Sequence, residues 1–253
     1  MSEPAAPNGN GHALNPFSRR ETHSSQSLLF YKVTTALSYL LLLVTAFYYA
    51  FNPPHEGHHP RGRIWQHNYP TPFAQSSIIT SIYWLILFIL QLGYAYSLYA
   101  SNEVYVTAAA NIGSHFVANN LLLFGFIHLW VRSHYWLAEL LIVINFFNLS
   151  AAYFRHSTTP RLIHIATVSG PLAWNFAALY WVGAVAVHTT GVGQFLTRPH
   201  LLQLQWIFAF TIGGLLFLLS LAVALPGLLG RDPFPRGQIV SEDRERAPLL
   251  ADD

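Results

Sequence analysis

The chain has 253 residues, of which 53% are hydrophobic and 9% charged, and a formal net charge of +2. Soluble domains carry about 25% charged residues. The deficit, with long apolar runs parted by short polar ones, places the chain among polytopic helical membrane proteins and gives no charge-based reason for a nucleic-acid partner. The absence of Cys excludes disulfides and thiolate metal ligands, and leaves the redox compartment unread.

Residues 1–27 are rich in Ser, Pro, Asn and Gly and read as a disordered cytosolic tail. They are too polar for a cleaved secretory signal, so the first apolar segment is expected to act as an uncleaved anchor. Asn15-Pro16-Phe17 matches a short adaptor ligand, but three residues are a weak match and a turn ahead of the membrane is the better account of them. Apolar segments near 28–51, 76–99, 107–131, 135–154, 168–187 and 204–225 follow. Each is close to the roughly 20 residues that cross a ~30 Å hydrocarbon core. Lys32 lies near enough to an end to snorkel, and Gln91 falls inside the second segment. Ser169-Gly170-Pro171 suits the start of the fifth, because Pro is tolerated in a first turn. Pro226-Gly227 marks the exit from the sixth, and residues 230–253 form a second disordered cytosolic tail.

The expected fold is therefore all-α, a polytopic transmembrane bundle of about six spans within residues 28–229. Cytosolic termini place nine Lys and Arg inside (Arg19, Arg20, Lys32, Arg155, Arg161, Arg231, Arg236, Arg244, Arg246) and four outside (Arg61, Arg63, Arg132, Arg198).

The third and fourth segments form a hairpin around Arg132-Ser133-His134. With both helices rising about 1.5 Å per residue, this turn sets His128 level with Glu139, and Asn119 and Asn120 level with Asn145 and Asn148. Asn111, His115 and Asn119 recur at i, i+4 and i+8 and share a stripe. Such groups commonly tie membrane helices together at about 0.6 to 2 kcal/mol each. The same eight residues are also the candidate intramembrane site. Glu139, His128 and His115 are ionisable groups within apolar segments and so are candidates for handling protons or a polar substrate. Near the interface, Glu139 is also placed to pair with Arg132.

Other motifs weigh less. Pro54-His55-Glu56-Gly57-His58-His59-Pro60 matches H-E-x-x-H, whose chemistry needs both His on one face of a stable helix. Gly57 and Pro60 oppose that helix, so no metal ligand is assigned and the segment reads as a solvated His-rich loop. Asn148-Leu149-Ser150 fits a glycosylation sequon buried in a span. Glu245 stands four positions before Leu249-Leu250, the pattern of an acidic dileucine sorting signal for an adaptor complex. It directs the expectation to the endomembrane system and a vacuolar membrane. No catalytic residue and no cofactor is assigned.

At the scale of whole segments, the chain resembles an uncharacterised fungal family of polytopic membrane proteins. The resemblance rests on TPFAQSSIITSIYWLILFILQLGY, NIGSHFVANNLL, WVRSHYWLAELLIVINFFNLSAAYFRH, VSGPLAWNFAALYW and LQWIFAFTI. It implies an integral membrane location and no established activity. Similar sequences carry further apolar segments between the positions matching His188 and Gly191, so the resemblance implies a shortened member. Three functions stay open. The first is binding or transport of a small solute, proton or lipid through the polar hairpin. The second is a non-catalytic scaffold or assembly factor. The third is a lipid-modifying intramembrane enzyme using His115, His128 and Glu139.

Overall fold

A computed structural model describes residues 16–20, 22–52, 64, 71, 73–156 and 159–189. Those residues are all-helical: α1 (Ser25–Phe51), α2 (Ser77–Ser97), α3 (Glu103–Val131), α4 (Tyr135–Arg155), α5 (Arg161–His164), a π-helical turn (Ile165–Ser169) and α6 (Gly170–Thr189). Five helices are long and apolar enough to cross a membrane, the last running from Arg161 to Val187 through the π turn. The expected sixth segment at 204–225, the His-rich loop and the 230–253 tail lie outside the described residues.

Polarity is arranged inside out. α1 turns Leu29, Phe30, Val33, Leu37, Leu40 and Val44 outward and buries Thr35, Ser38, Tyr39 and Thr45. A helix in water would do the reverse; one in hydrocarbon hides its polar side chains among its neighbours.

α3 is the hub, packed mainly on α4 and α1, while α6 packs on α4. It starts from Asn102, whose Oδ1 accepts from the Val104 amide at 2.9 Å, with Glu103 in its first turn complementing the helix dipole. Ala108, Ala109, Ala110 and Gly113 keep its first half thin. A Cβ at Gly113 would lie 2.6 Å from the Tyr31 ring, so this glycine lets α1 approach.

The α3–α4 turn closes as a Schellman motif. The Ser133 amide donates to Trp130 O at 3.0 Å and the His134 amide to Leu129 O at 2.9 Å. Ser133 holds a φ of 65°, the left-handed position that glycine usually fills.

One expectation is corrected and one is extended. Residues 16–20 and 22–24, assigned from composition to a disordered tail, lie as a strap against α3: Ser114 Oγ donates to Pro16 O at 2.7 Å, and the Arg20 amide to Asn111 Oδ1 at 2.9 Å. Three backbone groups of the strap, Pro16 O and the amide and carbonyl of Arg20, find partners on Ser114 and Asn111 of α3. Gly170-Pro171 does begin α6, but not from a free end: the chain is already helical from Arg161, ten positions before Pro171, and passes through a π turn in which Gly170 N donates to Ile165 O. The wider turn accommodates the proline ring and its missing N–H. α2 supplies the replacement donor: Gln91 Nε2 donates at 3.2 Å to Ala166 O, the carbonyl five positions before Pro171, and Tyr83 Oη adds a bond to Gly170 O at 2.7 Å.

Candidate functional site

Asn145 of α4 sits at the centre of the bundle. Its Nδ2 donates to Asn119 Oδ1 of α3 at 3.0 Å and to Asn175 Oδ1 of α6 at 2.9 Å. Asn119 Nδ2 passes the chain to Asn120 Oδ1 at 3.2 Å, and Asn120 Nδ2 reaches Ser38 Oγ of α1 at 3.3 Å. On the other side Asn148 Nδ2 donates to His115 O at 3.1 Å, with a longer contact to Asn145 Oδ1 at 3.5 Å. Asn175 Nδ2 ends on Ile142 O at 2.9 Å. The result is a ladder of side-chain amides linking α1, α3, α4 and α6, in which Asn119, Asn120, Asn145 and Asn175 are all buried. Because each amide bonds another, the ladder adds no uncompensated polarity to an apolar interior.

His115 joins the ladder at one end. Its Nδ1 lies 2.8 Å from Asn148 Oδ1. An amide oxygen only accepts, so Nδ1 carries the proton and Nε2 is left as a lone pair when the ring is neutral. That Nε2 is buried without a hydrogen-bond partner, and so is Nε2 of His156, whose ring centroid is 5.6 Å away. Phe17 of the strap closes over His115 at 4.8 Å. Asn111, expected to share the stripe, serves the strap instead: its Nδ2 donates to Arg20 O at 2.9 Å, and its Oδ1 lies 3.0 Å from His23 Nε2. Burial lowers the pKa of His23 below 6.5, opposed by the Asn111 bond and assisted by the charge of Arg20.

Glu139 lies towards the opposite end of α4. Its Oε2 is buried without a hydrogen-bond partner. The carboxyl faces α6 at Gly183, where a Cβ would stand 3.4 Å from Oε1. His128 is not brought to it. The His128 Nδ1 lies 3.1 Å from Phe124 O and its ring packs on Tyr49 of α1 at 5.3 Å. Arg132 reaches back to His128 O at 3.2 Å rather than forward to Glu139. Equal depth along the hairpin did not mean a shared face.

Asn175 and His156 complete the arrangement without having been singled out in the sequence. Asn175 had a signal, as the single amide in the apolar run of α6. His156 had none, since it ends α4 where a polar residue is unremarkable. A separate cavity of about 400 Å³ opens between α1 and α2 and is lined mainly by apolar residues, among them Leu42, Phe47, Trp84, Phe88, Phe126 and Trp174. No ionisable candidate lines it. Among the described residues no cluster of three metal-ligating side chains occurs. Glu245, Leu249 and Leu250 of the tail motif lie outside the described residues.

A family described as "Fungal protein of unknown function (DUF1774)" matches residues 165–250, roughly a third of the chain. The match covers the π turn and α6, with Asn175 and Gly183, and continues past the described residues. It is consistent with the resemblance to an uncharacterised fungal family and brings no activity with it. No curated protein and no solved structure matches the chain.

Proposed function

We propose that the chain is an integral membrane protein whose α3–α4–α6 interior binds a small polar solute or a proton, with Glu139 as the group that takes it up. One observation carries this reading: Glu139 Oε2, a carboxylate oxygen, is buried without a partner, opposite a glycine, in a bundle whose central asparagines bond one another. A carboxyl serving only to join helices is expected to be matched by a donor, because an unmatched one is costly in an apolar interior. Gly183 leaves room beside it that a larger side chain would fill. His115, with its unpartnered Nε2, stands towards the other end of the ladder, so two proton-exchanging groups flank a chain of amides.

The test is a pair of proteoliposome preparations holding a pH-sensitive dye under an imposed pH gradient. Glu139→Gln keeps shape and removes the charge. We expect it to fold and to lose proton or solute-coupled flux on the order of a hundredfold, the usual worth of a positioned proton-transfer group. Equal flux in both preparations refutes the assignment.

A second reading, the non-catalytic scaffold, is favoured by one feature: the amides of Asn119, Asn120, Asn145 and Asn175 are spent on one another, on the Ser38 hydroxyl or on backbone, as structural glue would be. Under that reading Glu139→Gln leaves flux at background in both preparations, and Asn145 substitutions act on stability alone.

A further inference from the structure

α1 packs on α3 and α2 on the π turn, and the two make little contact with each other. The cavity of about 400 Å³ lies in the gap between them. Its α1 wall runs from Leu42 to Phe51 and its α2 wall from Phe88 back to Ser81. One end therefore stands at mid-helix, and the other where α1 ends and α2 begins. At about 1.5 Å per residue, Leu42 to Phe51 covers about 14 Å, close to half of a ~30 Å hydrocarbon core. The cavity is continuous with the surface that the bundle shows to hydrocarbon: Phe47, Phe51 and Leu85 line it and are exposed. Further in, Leu42, Phe88, Leu123 and Phe126 line it and are buried.

From these dimensions we infer a binding site for one acyl chain of a membrane lipid, admitted sideways from the bilayer between α1 and α2. Volume sets the size of the guest. An apolar cavity of about 150 Å³ holds benzene, so at the same density one of about 400 Å³ holds on the order of sixteen carbon atoms. That is one long chain. A stretch of α-helix about 14 Å long and 10 Å across needs about 1,000 Å³, too much for the space. Length agrees with volume, because a chain reaching from one interface to the bilayer centre crosses half of the hydrocarbon core. The chemistry of the walls agrees as well. They are aliphatic and aromatic, and Ser81 brings a hydroxyl to the end where a lipid's polar part would stay. Left empty, such walls forfeit dispersion contacts, and water finds too few partners there to replace them. A chain from the surrounding bilayer restores those contacts. The site needs only the membrane setting of the bundle; flux through Glu139 fails or holds independently of it.

The test reconstitutes the full chain in phosphatidylcholine discs, with part of the lipid carrying a diazirine near the end of one acyl chain. Light attaches that chain to whatever it touches, and peptide mass spectrometry maps the attachment. Lipid on the outside reaches outward residues such as Leu37 and Ile78, whereas a chain in the cavity reaches Leu42, Phe88, Leu123 and Phe126. We expect the buried set to be labelled. Ala46 also lines the cavity. Ala46→Phe fills it and is expected to cut that labelling by about tenfold or more, with Leu37 and Ile78 unchanged. If that variant does not fold, Ala50→Phe and the wild-type pattern decide on the same criteria. A second measurement, with Phe88→benzoylphenylalanine, asks what the wall itself captures. Phosphatidylcholine supports the site. Capture of a peptide from residues 204–225, or of a second copy of the chain, means that protein fills the gap and overturns it. Labelling confined to outward residues, or buried labelling that the filling variants leave undiminished, overturns it too.

Discussion

Asn145→Ala removes a side chain whose hydrogen bonds join α4 to both α3 and α6. It deletes two donated bonds, to Asn119 Oδ1 at 3.0 Å and Asn175 Oδ1 at 2.9 Å. At about 0.6 to 2 kcal/mol for each interhelical bond in a membrane protein, the loss is about 1 to 4 kcal/mol. The orphaned acceptors on Asn119 and Asn175 are buried, which favours the upper part of that range. The ladder geometry also fixes how the cost divides. In a double-mutant cycle with Asn119→Ala, the two substitutions share one bond, so their effects fall short of additivity by about 0.6 to 1.7 kcal/mol. The seven tryptophans report unfolding by fluorescence in mixed micelles, and Trp84 and Trp174, 5.1 Å apart, join α2 to α6. A coupling within about 0.3 kcal/mol of zero refutes the claim that this bond carries weight, whatever the single mutants cost.

Gly170→Ala meets Leu87 at 2.5 Å and, less forgivingly, the backbone oxygen of Ile165 at 2.6 Å. We expect destabilisation of about 1 to 3 kcal/mol or loss of folded protein, and a neutral alanine in the same unfolding assay shows the π turn to be misplaced. His156 binds protons less readily folded, near pH 3, than unfolded, near 6.5, so between those values the unfolded chain holds more protons and stability falls as the pH is lowered. The thermal midpoint drops as pH goes from 7 towards about 5, and His156→Leu flattens the slope. A wild-type profile already flat, or an unchanged slope in the variant, contradicts the burial assigned to that ring.

How much of this was legible depended on what each residue's neighbours were. Depth was readable, because rise per residue is fixed: Asn119 does meet Asn145, and His115 meets Asn148. Facing was readable only in part. His128 stands nine positions after Asn119, and at 3.6 residues per turn that is about half a rotation away, towards α1. The same arithmetic, applied to His128 before depth was matched, would have separated it from Glu139. Asn175 carried a signal as the single amide of α6, but its partners were out of reach for a different reason. A hairpin with a short turn announces its own partner, but nothing local says which later helix will form the third wall. Pro171 shows local preference losing to tertiary supply: alone it begins a helix, yet Tyr83 and Gln91 bond nearby carbonyls where the ladder is interrupted, and the helix runs on.

The same accounting separates structure from function inside the bundle. An apolar environment leaves no water to repair an unmatched group, so a saturated network and an unsaturated one imply different roles. Asn119, Asn120, Asn145 and Asn175 donate all their bonds inward, and a ligand reaching them must first break an existing pair. Glu139, His115 and His156 each keep a buried atom without a partner, so a proton there forms a bond without breaking any. Those atoms lie towards the two ends of the helices, where a solute arrives from water, and the saturated amides lie between. Selection for stability alone would favour replacing the unmatched groups with apolar ones, often at no loss. Their presence at both ends is what a binding function predicts.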